Sequence, residues 1–187
     1  MYNQILFNMK RIFSFALLLT LVSFALKAQV FNTASTLSPM KFNIGIEPAV
    51  LTYGDNELYL FVNGGMGLVK GADLNVRLGL GDENYFGADV EFKLNKYLSI
   101  SGGAHNFYDF GLDGTGLVTF PIGPAKIYSG LDLDIVFAEN ETYLPLWVPI
   151  GLEFALKKKM AFIFEAEIAA TDDATYHIIG GGLNFYF

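Results

Sequence analysis

Cysteine is absent from the 187-residue sequence, so disulfides contribute nothing to the stability of this chain. Long uncharged apolar runs are also missing after the first thirty residues, where no window reaches the roughly eighteen residues that a membrane-spanning helix needs. Helical membrane spans are therefore excluded from that part, although apolar residues make up 52% of the sequence and aromatic residues 16%. Such a composition leaves a very apolar soluble β domain or a membrane β-barrel.

Basic residues are scarce, with twelve lysines and arginines against nineteen aspartates and glutamates. Lys10, Arg11 and Lys27 lie in the first 28 residues, so nine bases and nineteen acids remain after them, a net charge of about −10. This surplus of negative charge argues against binding to nucleic acid and against docking on an anionic lipid surface. We therefore expect no nucleic-acid partner.

The first 28 residues have the pattern of a secretory signal peptide. Lys10 and Arg11 form a basic start, and an apolar run of fifteen residues then ends before Lys27 and the small residue Ala28. Fifteen residues are too few to span a bilayer comfortably. The predicted organisation is a cleaved signal peptide at 1–28, a short periplasmic lead at 29–40 and a transmembrane β-barrel domain at 41–187.

Turn signals divide residues 41–187 into ten segments of ten to fourteen residues, long enough for a tilted strand to cross a bilayer. The segments are 41–53, 57–69, 72–81, 85–94, 97–107, 111–121, 126–138, 143–156, 160–171 and 175–187. The pattern predicts an all-β fold, an antiparallel up-and-down transmembrane β-barrel with short loops. Ten strands fit best, and eight or twelve are the alternatives.

Apolar and polar residues alternate along every segment, which places them on opposite faces of a strand. The apolar face includes Ile44, Ile46, Leu78, Leu80, Val90, Phe92, Leu131, Leu133, Ile150 and Phe164. A soluble sandwich would bury this face, but strict alternation through ten segments of this length favours a lipid-facing surface. Aromatic residues near segment ends are predicted to form interfacial girdles; they are Tyr53, Tyr59, Tyr85, Tyr97, Tyr143 and Phe187.

The connections between segments alternate in charge. "VKGAD", "LNKY", "PIGPAK" and "LKKKM" are tight and mostly basic, whereas "YGDNE", "GDENY", "YDFGLDG", "AENET" and "TDDAT" are acidic. With both chain ends on one side of the barrel, the basic set is predicted to be periplasmic and the acidic set extracellular.

The chain ends in "LNFYF", with Leu183, Phe185 and Phe187 on one face. This ending resembles the C-terminal targeting strand of bacterial outer-membrane β-barrels, which the barrel-assembly machinery recognises, and the signal ending "KAQ" is similar to those of Bacteroidetes. The resemblance implies a location in the bacterial outer membrane, with outer-membrane lipid, lipopolysaccharide, the assembly machinery and other envelope proteins as partners. It implies no particular activity.

Charged residues on the polar face are predicted to meet inside the barrel at mid-height. The predicted network comprises Arg77 and Lys93 with Glu47, Asp89, Glu91, Asp132, Asp134, Glu153, Glu165 and Glu167. We interpret it as a salt-bridge network that fills and stiffens a narrow acidic lumen in a non-enzymatic barrel, structural in role or a subunit of an envelope complex. The alternative is a small cation-preferring pore. No glycine-rich phosphate loop or zinc spacing is present, so no cofactor and no metal are expected.

Two enzymatic alternatives are weaker. A rim protease similar to the omptins would depend on pairing His105 with Asp109, or His177 with Asp172 and Asp173, but omptins have far taller extracellular walls. A lipid A-modifying acyltransferase would use Pro48, Pro145 and Pro149 to weaken strand pairing and admit lipid. That chemistry needs a largely apolar lumen, which the inward acids contradict.

Overall fold

The computed structural model describes residues 35–53 and 55–187, and all regular secondary structure in them is β-strand. The strands are β1 (Phe42–Tyr53), β2 (Asp55–Val69), β3 (Ala72–Leu80), β4 (Tyr85–Lys93), β5 (Leu98–Phe107), β6 (Asp109–Ile122), β7 (Ala125–Phe137), β8 (Thr142–Tyr143), β9 (Leu146–Lys157), β10 (Met160–Ala169) and β11 (His177–Tyr186). This part of the chain contains no helix of the length and apolarity that a membrane span requires. The predicted signal peptide and residues 29–34 of the predicted lead lie outside the described residues.

The strands close into an antiparallel barrel. Neighbours in sequence pair with one another, and β1 pairs with β11 from Asn43 opposite Tyr186 to Thr52 opposite His177. Strands β8 and β9 both pair with β7 and together occupy one position in the wall. The barrel therefore has ten strand positions, which confirms the predicted fold class and strand number and excludes eight and twelve.

The eighth predicted segment, 143–156, is interrupted. Tyr143 belongs to the two-residue strand β8, and β9 starts after a break at Leu144 and Pro145. Pro145 has no backbone N–H to donate to a ladder, although its carbonyl accepts from the backbone N–H of Asp134 at 3.0 Å. The proline thus ends regular pairing on one side of the strand, a detail that the sequence pattern did not resolve.

Burial follows the predicted alternation but is inverted relative to a soluble protein. Large apolar side chains point outwards and are exposed, for example Ile44 at 52%, Leu131 at 56% and Ile150 at 49%, whereas Glu47 and Glu165 are fully buried inside. A contiguous apolar surface of this kind marks an interaction with an apolar medium or partner. The face predicted to meet lipid is the outer face of the barrel.

The two ends of the barrel differ in charge. At the terminal end, where β1 begins and β11 ends, the connections 70–71, 94–97, 123–124 and 158–159 are short and hold Lys70, Lys96, Lys158 and Lys159. At the opposite end, here called the loop end, the three longest connections, 81–84, 138–141 and 170–176, are acidic. Their acids include Asp82, Glu83, Glu139, Glu141, Asp172 and Asp173.

Two tyrosines predicted for the interfacial girdles lie inside the barrel instead. Tyr59 and Tyr85 are 1% and 2% exposed and form an aromatic layer with Phe61 and Phe107 near the loop end. The Tyr59 and Phe107 rings meet edge to face at 5.6 Å, and those of Phe61 and Tyr85 at 5.4 Å. The prediction was wrong because it relied on position near a strand end rather than on alternation. The side chain of Tyr53 lies outside the described part of the structure.

The described part of the lead, residues 35–40, folds against the terminal end of the barrel. Leu37 is buried, and its backbone N–H donates to Asp73 Oδ2 at 2.6 Å. Gly67 makes room for this segment, because a Cβ there would collide with the backbone oxygen of Ser38. The lead therefore narrows the terminal mouth.

Candidate functional site

The barrel interior holds the candidate site. Nine of the ten residues of the predicted network are at most 5% exposed and point inwards. These nine are Arg77, Glu47, Asp89, Glu91, Asp132, Asp134, Glu153, Glu165 and Glu167. Lys93 is exposed at the terminal end, beyond the buried group. We call these nine buried residues the lumen network.

Arg77, on β3, is the arginine at the centre of the lumen network and is 3% exposed. Its guanidinium pairs with Asp89 on β4, with Nη1 3.7 Å from Oδ2. It also interacts electrostatically with Glu47 on β1 and Glu165 on β10. Arg77 therefore lies among acids from β1, β4 and β10.

Polar neighbours hold several acids of the network through hydrogen bonds. Asn63 donates to Glu47 Oε1 at 2.7 Å, and Thr115 donates to Asp132 Oδ1 at 2.6 Å. Asn75 donates to Asp89 Oδ1 at 3.1 Å. Such bonds offset part of the cost of removing a carboxylate from water.

Glu153 links the network to the terminal end. Its Oε1 accepts from Lys126 Nζ at 2.8 Å and from the Tyr186 hydroxyl at 3.3 Å. Lys126 Nζ also donates to Ser35 Oγ in the lead at 3.0 Å. The acid at this end therefore joins β9, β7, β11 and the lead.

Glycines on the inner face let large side chains lie flat across the lumen. A Cβ at Gly151 would fall on the ring of Tyr128, and one at Gly111 would fall on the ring of His105. Tyr128 is fully buried and His105 is 2% exposed. Glycines on the inner face thus make room for specific bulky side chains on neighbouring strands.

Sequence reasoning missed several buried polar residues of the lumen. Asp73 is fully buried, Asp113 is 8% exposed and Asn63 is 9% exposed. Asp73 lies two residues before Asn75 and four before Arg77, so alternation places it on the inner face. Its closeness to a turn hid that signal. With Asp73 and Asp113, ten acids are buried among the residues that the structure describes.

The residue pairs considered for a rim protease come together only in part. His105 Nδ1 lies 3.6 Å from Asp134 Oδ2, and both side chains are buried. His177 faces outwards, and its Nδ1 accepts from the backbone N–H of Ala169 at 3.0 Å. His177 therefore does not form the pair with Asp172 and Asp173 that such chemistry would need.

The inward side chains at mid-height are buried, and a cavity of about 500 Å³ opens at the loop end. Among the described residues, no group of three or more histidines and acids is arranged to hold a metal ion. What the network can do chemically is tie the strands together through ion pairs and hydrogen bonds.

Several solved structures of bacterial β-barrels are similar in shape to this chain. The outer membrane protein OprG from Pseudomonas aeruginosa is 11% identical, covers 83% of this chain and 99% of its own, and has a TM-score of 0.44. The KdgM porin is 12% identical, with coverages of 77% and 99% and a TM-score of 0.47. The translocator domain of the autotransporter NalP from Neisseria meningitidis is 8% identical, covers 95% of both chains and scores 0.48.

At these identities and TM-scores the likenesses carry no argument about activity. No protein-family model matches this chain, and no curated protein matches it.

Proposed function

We propose that this chain is a non-enzymatic β-barrel of the bacterial outer membrane with a narrow, acidic, side-chain-filled lumen, structural in role or a subunit of an envelope complex. One observation carries the proposal: in the described part of the chain, the closed barrel buries ten acids inside and exposes large apolar side chains around its outside. This inside-out arrangement suits a barrel in lipid, where every backbone group is paired within the wall.

A filled lumen supports the structural role over conduction. Glu47, Asp73 and Glu165 are fully buried, and Leu37 of the lead lies against the terminal mouth. The excess of acids over Arg77 nevertheless favours cations over anions in any path through the barrel. A small cation-preferring pore is therefore the second candidate.

Location in the outer membrane is the first expected result. The mature chain should fractionate with the outer membrane, require detergent for extraction, and migrate faster on a gel unheated than boiled, because the closed barrel resists unfolding in detergent. A chain recovered from the periplasm without detergent would refute the membrane proposal.

Conductance separates the two candidate functions. The purified barrel is reconstituted in a planar bilayer in about 1 M KCl. We expect no steady current, because the buried network blocks the lumen. Steady cation-selective current would establish the pore, and large anion-selective current would contradict the acidic lumen altogether.

We further propose that the assembly machinery reads Leu183, Phe185 and Phe187. Phe187 also extends the β1–β11 seam, since its backbone N–H donates to the Phe42 carbonyl at 2.9 Å. Deleting Phe187 should lower the yield of assembled barrel several-fold. The matched control is deletion of Met40, which is 73% exposed at the same end. Equal yields from both deletions would rule out a signal at Phe187.

A further inference from the structure

The cavity at the loop end combines aromatic and acidic walls. It has a volume of about 500 Å³, within the usual range of small-molecule sites. Phe107, Tyr108, Trp147 and Tyr176 supply its aromatic lining, and Asp109 and Asp134 are among its acids. His105 is its one basic side chain among the described residues that line it. Asp134 is the one member of the lumen network among the described residues that line this chamber.

The aromatic wall is fixed in place. The rings of Trp147 and Tyr176 lie 5.4 Å apart, and Tyr176 meets Phe107 edge to face at 5.7 Å. Trp147 Nε1 donates to the Tyr176 carbonyl at 3.1 Å, which ties the 170–176 loop to β9. Burial raises the pKa of Tyr176 well above its ordinary value, so its phenol stays neutral. The site is preorganised rather than assembled by a ligand.

Asp134 points into the cavity from β7 and is 1% exposed. Its Oδ2 faces His105 Nδ1 at 3.6 Å, and its Oδ1 has no hydrogen-bond partner among the described residues. A buried carboxylate oxygen without a partner is costly, and a bound donor would satisfy it. This oxygen is the polar anchor that an aromatic chamber needs to orient a ligand.

We propose that this cavity binds a small organic ammonium cation. Aromatic ring faces attract an ammonium group, and carboxylates supply the opposite charge. The same carboxylates repel anions, and no group of three or more histidines and acids among the described residues is arranged to hold a bare metal ion. The inference concerns the loop end alone and goes beyond the proposed structural role, since it holds whether or not the lumen conducts.

Choline and its neutral isostere 3,3-dimethyl-1-butanol provide the test, with the folded barrel in detergent. Trp147 is the only tryptophan of the sequence and lies in the cavity wall, so its fluorescence reports occupancy directly. Choline is expected to change this fluorescence saturably and to bind at least about tenfold more tightly than the isostere. Equal binding of the two compounds, or no saturable change with choline, would overturn the proposal.

Two isosteric variants locate the charge that matters. Asp134→Asn should weaken choline binding about tenfold, whereas Glu139→Gln, at an exposed acid of the loop end outside the cavity lining, should leave it unchanged. An equal loss of choline affinity in both variants would show that the electrostatic field of the whole loop end attracts choline, which would overturn the proposed site. If Asp134→Asn lacks the fast-migrating folded band, Asp109→Asn at the cavity mouth replaces it, and unchanged binding there contradicts the proposal.

Discussion

Replacing Arg77 with leucine is expected to destabilise the barrel by about 3–5 kcal/mol, the usual cost of breaking a buried ion pair. The guanidinium is 3% exposed, pairs with Asp89 and faces Glu47 and Glu165. Leucine would leave these acids without the positive charge that offsets their burial. The free energy of unfolding, measured from urea titrations of the heat-modifiable gel band, should fall accordingly.

The matched control is Lys93→Leu, which removes the same charge from an exposed position at the terminal end. Exposed charges are well screened, so its effect should stay below about 1 kcal/mol. Similar stabilities for both variants would show that water already solvates the acids around Arg77, which would favour the open pore over the packed core.

Alternation was the most reliable guide to the fold. In β3, Leu74, Val76 and Leu78 face outwards while Asn75 and Arg77 face inwards, and this rhythm persists through the wall. Every strand of a closed barrel has one face towards the interior and one towards the outside. Successive side chains along a strand point to opposite faces, so the alternation of apolar and polar residues shows which face each residue takes. Ten strand positions and the inner face of the network followed from the sequence for this reason.

Contacts across the lumen were beyond the sequence pattern. Alternation says that Tyr128, Gly151 and Glu165 point inwards, but not that the Tyr128 ring lies over Gly151 beside Glu165. Such contacts between side chains depend on strand register and tilt, which cannot be read from the spacing of residues along one strand. The loop-end cavity was missed for the same reason, since Trp147 and Tyr176 are 29 residues apart and meet through a loop hydrogen bond.

For Tyr59 and Tyr85, two sequence signals disagree: position near a strand end and alternation along the strand. Aromatic residues near strand ends suit an interface with lipid headgroups, but they also suit an interior where glycines leave space. A Cβ at Gly79 would meet Phe61 and Tyr85, and one at Gly81 would meet Tyr59. Alternation with Asn63 already put Tyr59 and Phe61 on the inner face, and that signal should have prevailed over position along the strand.

Replacing Gly151 with valine is expected to cost about 3 kcal/mol, at the upper end for overpacking a core. The new Cβ would fall on the Tyr128 ring, which is fully buried and interacts with Glu165 through its hydroxyl. Tyr128 has little room to move because the lumen around it is filled, so the strain would spread to the network. The variant should lose a large share of its folded gel band at moderate urea.

Gly114→Val is the control, since it adds the same side chain to a strand of the same wall. Gly114 faces outwards, and a Cβ there meets no atom within 4 Å. Valine favours strands and its apolar side chain suits the outer face, so stability should change by less than about 0.5 kcal/mol or rise slightly. Equal destabilisation of the two variants would show that backbone effects of glycine replacement dominate. The packing of the Tyr128 ring against Gly151 would then contribute little to stability.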